Sequence, residues 1–219
     1  MKRDITVVTS VLKANDAVAR DNRARLDRAG ILALNITSAP GSGKTALLEA
    51  TLPALAPQRA AVVVGDLQTS RDAERVAGLA AAVVQINTEG GCHLAATQVA
   101  EALDALPLEG LDFLFIENVG NMVCPAGFDL GEHRRVAMLS VPEGADKVAK
   151  YPTLFQPADL ILLNKVDLAA LLGYDVDLVR ADLARLNTRA PLLLLSARTG
   201  EGLTAWLDWL RSERTARRG

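Results

Sequence analysis

The sequence predicts an α/β chain built on a mostly parallel, doubly wound sheet. Three observations carry that prediction. Apolar runs of strand length alternate with helix-like stretches along all 219 residues. The chain is 50% hydrophobic but only 4% aromatic, a Leu/Ala/Val-rich balance that suits parallel strands buried on both faces. A Gly-rich turn, Ser38-Ala39-Pro40-Gly41-Ser42-Gly43-Lys44-Thr45, follows the apolar run Ile31 to Ile36 and precedes the helix-like Ala46-Leu47-Leu48-Glu49-Ala50. A strand feeding such a turn that opens a helix is the setting of a P-loop.

Each element follows from local pattern. Thr9 to Ala29 reads as one amphipathic helix, with Val11, Leu12, Ala14, Ala17, Val18 and Leu26 interleaved among charges, ended by Gly30. It precedes the first strand, so it should pack across the domain as an N-terminal arm. After the P-loop helix, Pro53 and Pro57 close the segment and Ala60 to Val64 forms a buried strand ending in Gly65-Asp66. Thr69 to Ala82 reads as a helix and Val83 to Ile86 as a short strand. The loop Asn87 to His93 leads into a helix from Leu94 to Leu106, and the strand Leu111 to Ile116 ends in Glu117-Asn118-Val119-Gly120-Asn121. Met122 to Glu132 is irregular, Val136 to Val141 and Leu160 to Leu163 are strands, and Asp175 to Leu186 is a charged helix. Leu192 to Leu195 is the last strand and Leu203 to Leu210 the closing helix. Crossovers should be right-handed. The expected organisation is a helical arm over 1–30, a P-loop domain over 31–212 with a three-layer fold, and a basic, solvated tail over 213–219.

Composition excludes several classes. Net charge is −2, so neither nucleic acid nor an anionic membrane is indicated as a partner. No apolar run is long enough to span a bilayer, and Met1-Lys2-Arg3-Asp4 leads into no signal-peptide core. The 2 cysteines make no disulfide scaffold, which points to a reducing, cytoplasmic location.

Functional groups in such a sheet gather outside the C-terminal strand ends, and every unusual polar cluster falls there. The loop Pro40-Gly41-Ser42-Gly43-Lys44-Thr45 and the helix start can wrap a phosphate chain, with N–H groups from Gly41 onward. Lys44 would reach the β/γ-phosphates and the Thr45 hydroxyl would take one Mg²⁺ position. Asp66 and Glu117 are carboxylates at strand ends where Mg²⁺ would lie, and Gly120 could bring its N–H to a γ-phosphate. The plainer reading makes the two acids caps of turns.

Asn164-Lys165-Val166-Asp167 selects the base. Asp167 can accept hydrogen bonds from guanine N1–H and its exocyclic amine, Lys165 would lay its stem on the ring, and Asn164 would hold the loop together. Ser196-Ala197 could present backbone N–H to guanine O6. Adenine would leave the carboxylate without donors at about 1–3 kcal/mol, which favours GTP.

Cys92-His93 is a feature that nucleotide binding does not explain. A loop loosened by Gly90-Gly91 can turn both side chains to one point, and Cys124 follows the Glu117 run at the same sheet edge. These soft and borderline ligands suit Zn²⁺ or Ni²⁺. The alternative is two small buried cysteines and a helix-start histidine.

Taken together, these motifs resemble the nickel-incorporation GTPase family of [NiFe]-hydrogenase maturation, the HypB family, in the class that includes the urease accessory GTPase. The resemblance runs from the N-terminal helix to Leu210 and rests on Ser38 to Thr45, Gly65 to Thr69, Gln85 to Thr88, Gly91 to Leu94, Glu117 to Asn121, Cys124-Pro125, Asn164 to Asp167 and Gly200 to Gly202. It implies a homodimer with a metal site at the interface built from Cys92, His93 and Cys124, dimerisation strengthened by GTP, and nickel passed to a partner metallochaperone and the hydrogenase large subunit. Ser38, in place of the first P-loop glycine, is usual in that family. No Cys-rich or His-rich N-terminal stretch accompanies Met1-Lys2-Arg3-Asp4, so no metal storage is expected. Ala39 stands where the ATPases of the same class carry Lys.

The expected protein is therefore a slow Mg²⁺-dependent GTPase, converting GTP to GDP, that switches a Ni²⁺ or Zn²⁺ site. Lys147 and Arg71 are candidate cations acting across a dimer. A GTPase serving urease, a metal-free GTP-dependent binding module and a small-substrate kinase are the rival readings.

Overall fold

The computed structural model describes residues 7–66, 71–88 and 90–218. Leu67 to Thr69, part of one quoted motif and of the expected helix start, lie outside the described residues, as do Met1 to Asp4. Helix α1 (Val7–Ala29) precedes β1 (Leu32–Ser38), α2 (Lys44–Ala54), β2 (Ala60–Asp66), α3 (Arg71–Ala77), β3 (Ala82–Asn87), α4 (Ala96–Ala105) and β4 (Phe113–Glu117). Then come β5 (Arg134–Ser140), α5 (Lys147–Lys150), α6 (Pro152–Phe155), β6 (Leu160–Asn164), α7 (Ala169–Leu172), α8 (Val176–Leu186), β7 (Leu192–Leu194) and α9 (Leu203–Arg218). Single 3-10 turns span Cys124–Gly127, Val141–Glu143 and Val166–Leu168.

Among the described residues the strands form one 7-stranded sheet in the order β3-β2-β4-β1-β5-β6-β7. Every pairing is parallel. The order reverses at β1, which lies between β4 and β5, so the loops leaving β1 open a crevice at the topological switch point. Register sets Ile36 beside Glu117 and Ser140 beside Asn164, which gathers the ends of β1, β4, β5 and β6 at one edge.

Alternation along β1 divides the core. Leu32, Leu34 and Ile36 face α2, α3 and α9 through Leu47, Leu48, Val76, Trp206 and Leu210. Ala33, one residue out of phase, joins Ala61, Leu114 and Ile116 beneath α1 and α4, where Leu26, Val99 and Leu103 pack. Further along the same face, Ala137, Leu139, Ile161 and Leu163 lie under α5, α6 and α8. This is the three-layer architecture, with α1 packed on α4 and β1. Among the described residues no helix is long and apolar enough to cross a membrane.

Two expectations are corrected. The basic C-terminal stretch is not a solvated tail: α9 runs on to Arg218, because Arg211 bonds the Ala54 carbonyl and Arg214 and Arg217 pair with Asp112 and Asp27. Pro53 does not end the P-loop helix but lies in its last turn, which closes at Leu55.

Candidate functional site

The loop after β1 is held from three sides. Asn164 Nδ2 donates to the Ser42 carbonyl at 2.9 Å, and Lys165 Nζ donates to the Gly41 carbonyl at 2.7 Å. Ser42 Oγ lies 2.7 Å from Glu143 Oε1. Gly120 packs so closely on Pro40 that a Cβ would come within 2.9 Å of the Pro40 Cα, a gap only glycine fills.

Inside the loop, Lys44 Nζ donates to Ser38 Oγ at 3.1 Å. Burial pulls the Lys44 pKa down, while the negative charges of Glu117, Asp72, Glu143 and Asp66 oppose that shift. Thr45 Oγ1 donates to Glu117 Oε1 at 2.8 Å. Glu117 is buried and its pKa is raised, first by desolvation, with Lys44 and Thr45 acting against it. Its second oxygen, Oε2, is buried with no hydrogen-bond partner among the described residues. A buried carboxylate oxygen beside a threonine hydroxyl, facing a phosphate loop, fits a hard divalent cation such as Mg²⁺. Asp66 stands half-buried at the end of β2, within electrostatic reach of Lys44.

Two acids here have no place in the motifs. Asp72, in the first turn of α3, raises the pKa values of both Lys44 and Glu117. Glu143 Oε1 accepts from the Ser140 amide at 3.0 Å and from the Ser140 hydroxyl at 2.6 Å, besides facing Ser42. The Ser140-x-x-Glu143 spacing is a capping-box signal, and it was the only trace of Glu143 in the sequence.

On the base side, Asn164 joins three loops, since its Oδ1 also accepts the Ala197 amide at 3.0 Å. Lys165 sits in the left-handed region, at φ 63°. Asp167 is exposed on the adjoining 3-10 turn. The amides expected to meet a guanine carbonyl are engaged within the protein here. Ser196 N–H donates to the Glu201 carbonyl at 2.9 Å and Ala197 N–H to Asn164.

Cys92, His93 and Cys124 come together: one ligand atom from each lies within 4.8 Å of the others. Cys92 Sγ is 3.5 Å from His93 Nδ1. The Cys124 thiol and burial push the Cys92 pKa up, and burial pushes the His93 pKa down. The His93 ring lies against Phe128, with centroids 3.9 Å apart and the planes tilted by 30°. Two thiols and an imidazole converging on one point fit a soft or borderline metal ion.

The loop after Glu117 touches both halves of this cluster. Asn118 Oδ1 accepts the amides of Leu94 at 3.2 Å and Val119 at 2.9 Å. Asn121 Oδ1 accepts those of Val123 at 2.8 Å and Cys124 at 3.3 Å.

A parallel sheet with this loop at its switch point, and a polar run clasping the loop from the next strand ends, defines a P-loop nucleotide-binding domain. Residues 32–194 match the model of the CobW/HypB/UreG nucleotide-binding domain. The chain belongs to the HypB family of P-loop GTPases. It is 48% identical over 216 residues to hydrogenase maturation factor HypB of Escherichia coli K12, covering 98% of this chain and 74% of that protein. It is 39% identical over 217 residues to the hydrogenase/urease maturation factor HypB of Helicobacter hepaticus, covering 97% and 89%. The crystal structure of HypB from Helicobacter pylori in complex with nickel superposes with a TM-score of 0.89 at 40% identity, covering 93% of this chain and 96% of that one.

Proposed function

We propose that this protein is a GTP-hydrolysing accessory factor that handles nickel for [NiFe]-hydrogenase maturation, working as a homodimer whose association depends on GTP and metal. The observation that carries the reading is the double tie from the loop after Glu117 to the Cys92/His93/Cys124 cluster, through Asn118 to Leu94 and Asn121 to Cys124. Residues that sense a γ-phosphate and residues that hold a metal are then parts of one backbone linkage.

The roles follow from the geometry. The amides from Gly41 to Thr45 cradle the phosphates, and Lys44, drawn toward Ser38 in this arrangement, reaches the β/γ-phosphates. Thr45, Asp66 and Glu117 would hold Mg²⁺, which when bound neutralises charge on the phosphate oxygens. Gly120, in contact with Pro40, brings the switch loop against the phosphate loop. Lys165 and Asp167 recognise guanine. No arginine finger stands in the described site, so turnover is expected to be slow.

Nickel enters as cargo, taken by the Cys92 and Cys124 thiolates and the His93 imidazole. Three protein ligands leave a fourth position, which a second subunit or the receiving metallochaperone would fill. Delivery to urease as well is a second reading, supported by the double name of the Helicobacter hepaticus relative.

Equilibrium dialysis against Ni²⁺ with GDP or a non-hydrolysable GTP analogue, combined with solution mass, tests the proposal. Nickel uptake that depends on nucleotide and is abolished in Cys92→Ala/Cys124→Ala is expected. Unchanged uptake in that double variant, or a monomer in every state, would overturn it.

A further inference from the structure

Two asparagines in the middle of α1 need an explanation. Asn is a poor residue for a helix interior, and Asn15 and Asn22 are buried, at 7% and 1% exposure. They are seven positions apart, two helical turns, and so share one face. Each side chain is spent on the backbone of the same two remote segments. Asn15 Oδ1 accepts the Ala96 amide at 2.9 Å while its Nδ2 donates to the Asp129 carbonyl at 2.7 Å. Asn22 Nδ2 donates to the Ala96 carbonyl at 2.8 Å and to the Leu130 carbonyl at 3.0 Å.

Those two segments carry the metal cluster. Ala96 opens α4, three positions after His93. Asp129 and Leu130 follow Phe128, the ring packed against His93, and lie a few residues beyond Cys124. The α4 N-cap, Ala95, has no side-chain acceptor to offer, and Gln98 Oε1 reaches back only to the Ala95 amide. Asn15 supplies an acceptor for one of the orphan amides there from a helix 81 residues away in sequence. The close approach is built in: a Cβ on Gly131 would meet the Asn22 Cβ at 2.6 Å and the Ala19 carbonyl at 2.7 Å. Arg23 adds a tie on the same side, with Nη2 donating to Asp129 Oδ1 at 2.6 Å.

We infer that Asn15 and Asn22 are positioning residues of the Cys92/His93/Cys124 centre, straps that set the separation between the loop bearing Cys92 and His93 and the loop bearing Cys124. The inference rests on the reading of that cluster as a metal centre. Helix α1 then acts as a fixed template behind the ligands. Asn118 and Asn121 hold the same two loops from the nucleotide side, so a shift of the switch loop moves Leu94 and Cys124 against points that α1 keeps still. Ligands held at their working distance spend less binding free energy on ordering, and groups that orient ligands in this way carry about 10- to 100-fold of metal affinity.

The test compares the full-length wild type with Asn15→Ala and Asn15→Asp. Asp keeps the acceptor for the Ala96 amide and so restores the cap, but it has no donor for the Asp129 carbonyl and leaves the strap cut. Nickel and zinc affinities are read by competition with a chromophoric chelator, and the thiolate-to-nickel charge-transfer band reports ligand geometry. GDP affinity and the thermal midpoint serve as controls. The expected result is a nickel Kd raised about tenfold or more in both variants, with a changed band and unchanged GDP affinity, read at a temperature where each variant is folded. Wild-type nickel Kd and spectrum in Asn15→Asp would overturn the inference, and that variant decides even if Asn15→Ala fails to fold. A wild type that binds neither nickel nor zinc would instead remove the functional reading on which the straps depend.

Discussion

Asn118 Oδ1 accepts the Leu94 amide at 3.2 Å across 24 residues of sequence. The residue after Glu117 is thereby bonded to the residue after His93. Asn118 Nδ2 donates to Asn35 Oδ1 at 3.1 Å, which anchors the link to the central strand β1. The amide of the buried Leu94 thus bonds a side chain at the nucleotide edge. Replacing Asn118 by Ala should cost about 1–3 kcal/mol through the stranded Leu94 amide, read by urea titration. It should also leave metal affinity indifferent to which nucleotide is bound.

Glu117 carries an internal conflict that Glu117→Gln resolves in one direction. Burial raises its pKa, so the folded state holds its proton more tightly than the unfolded chain. The sign follows from linkage. Folding disfavours the carboxylate form relative to the unfolded chain, and stability rises as pH falls through the folded pKa toward the unfolded value. Nucleotide-free Glu117→Gln should therefore melt no lower than wild type at pH 7.5. Its GTP hydrolysis should fall by about 100-fold, measured as phosphate release, because a carboxylate placed to hold Mg²⁺ is gone. A variant both destabilised and fully active would contradict this role.

Asp167 is the residue on which base choice turns. Asp167→Asn replaces an acceptor with an amide that can donate to the carbonyl of xanthine. Preference for GTP over xanthosine triphosphate should be lost, a change of roughly 5- to 150-fold for the hydrogen bonds to the base that are no longer made. Competition binding measures it, and a retained GTP preference would exclude Asp167 from base recognition.

His133 sets an acid limit on the fold. Its side chain is 2% exposed and its Nδ1 accepts the Ala33 amide at 2.9 Å, which fixes the neutral ring. Burial, with Arg23 and Arg134 nearby, pushes its pKa down from 6.5 to about 4. A histidine held neutral in the folded state contributes fully above its unfolded pKa, and the contribution is lost as pH falls from there toward the folded value. Between pH 7.5 and pH 5 the loss should be about 2 kcal/mol. Urea unfolding of wild type against His133→Asn, which keeps an acceptor but does not titrate, should show a flatter pH dependence in the variant.

Much of this was legible in the sequence, for a physical reason. Lys44, Thr45, Glu117 and Asn164 to Asp167 stand at strand ends, and a strand–turn–helix unit places such residues by local geometry alone. Cys92, His93 and Cys124 could be grouped because both loops leave the same sheet edge. What escaped depends on distant packing. Glu143 meets Ser42 across 101 residues, and Asn22 meets Ala96 across 74. No local spacing encodes such contacts. The arginines from Arg211 onward read as a polar tail because Asp112 and Asp27, which pair with Arg214 and Arg217, are remote in the chain. Helices α5, α6 and α7 are single turns of 4 residues each, too short to show a period.

The central claim is that the nucleotide edge and the metal cluster are coupled. The most direct test is the nickel Kd of the full chain with GDP and with a non-hydrolysable GTP analogue, alongside the nucleotide Kd with and without nickel. The account predicts a ratio of at least about fivefold, equal in both directions as linkage requires, that collapses to one in Asn118→Ala. Identical nickel affinities of the wild-type protein in the two nucleotide states would contradict it.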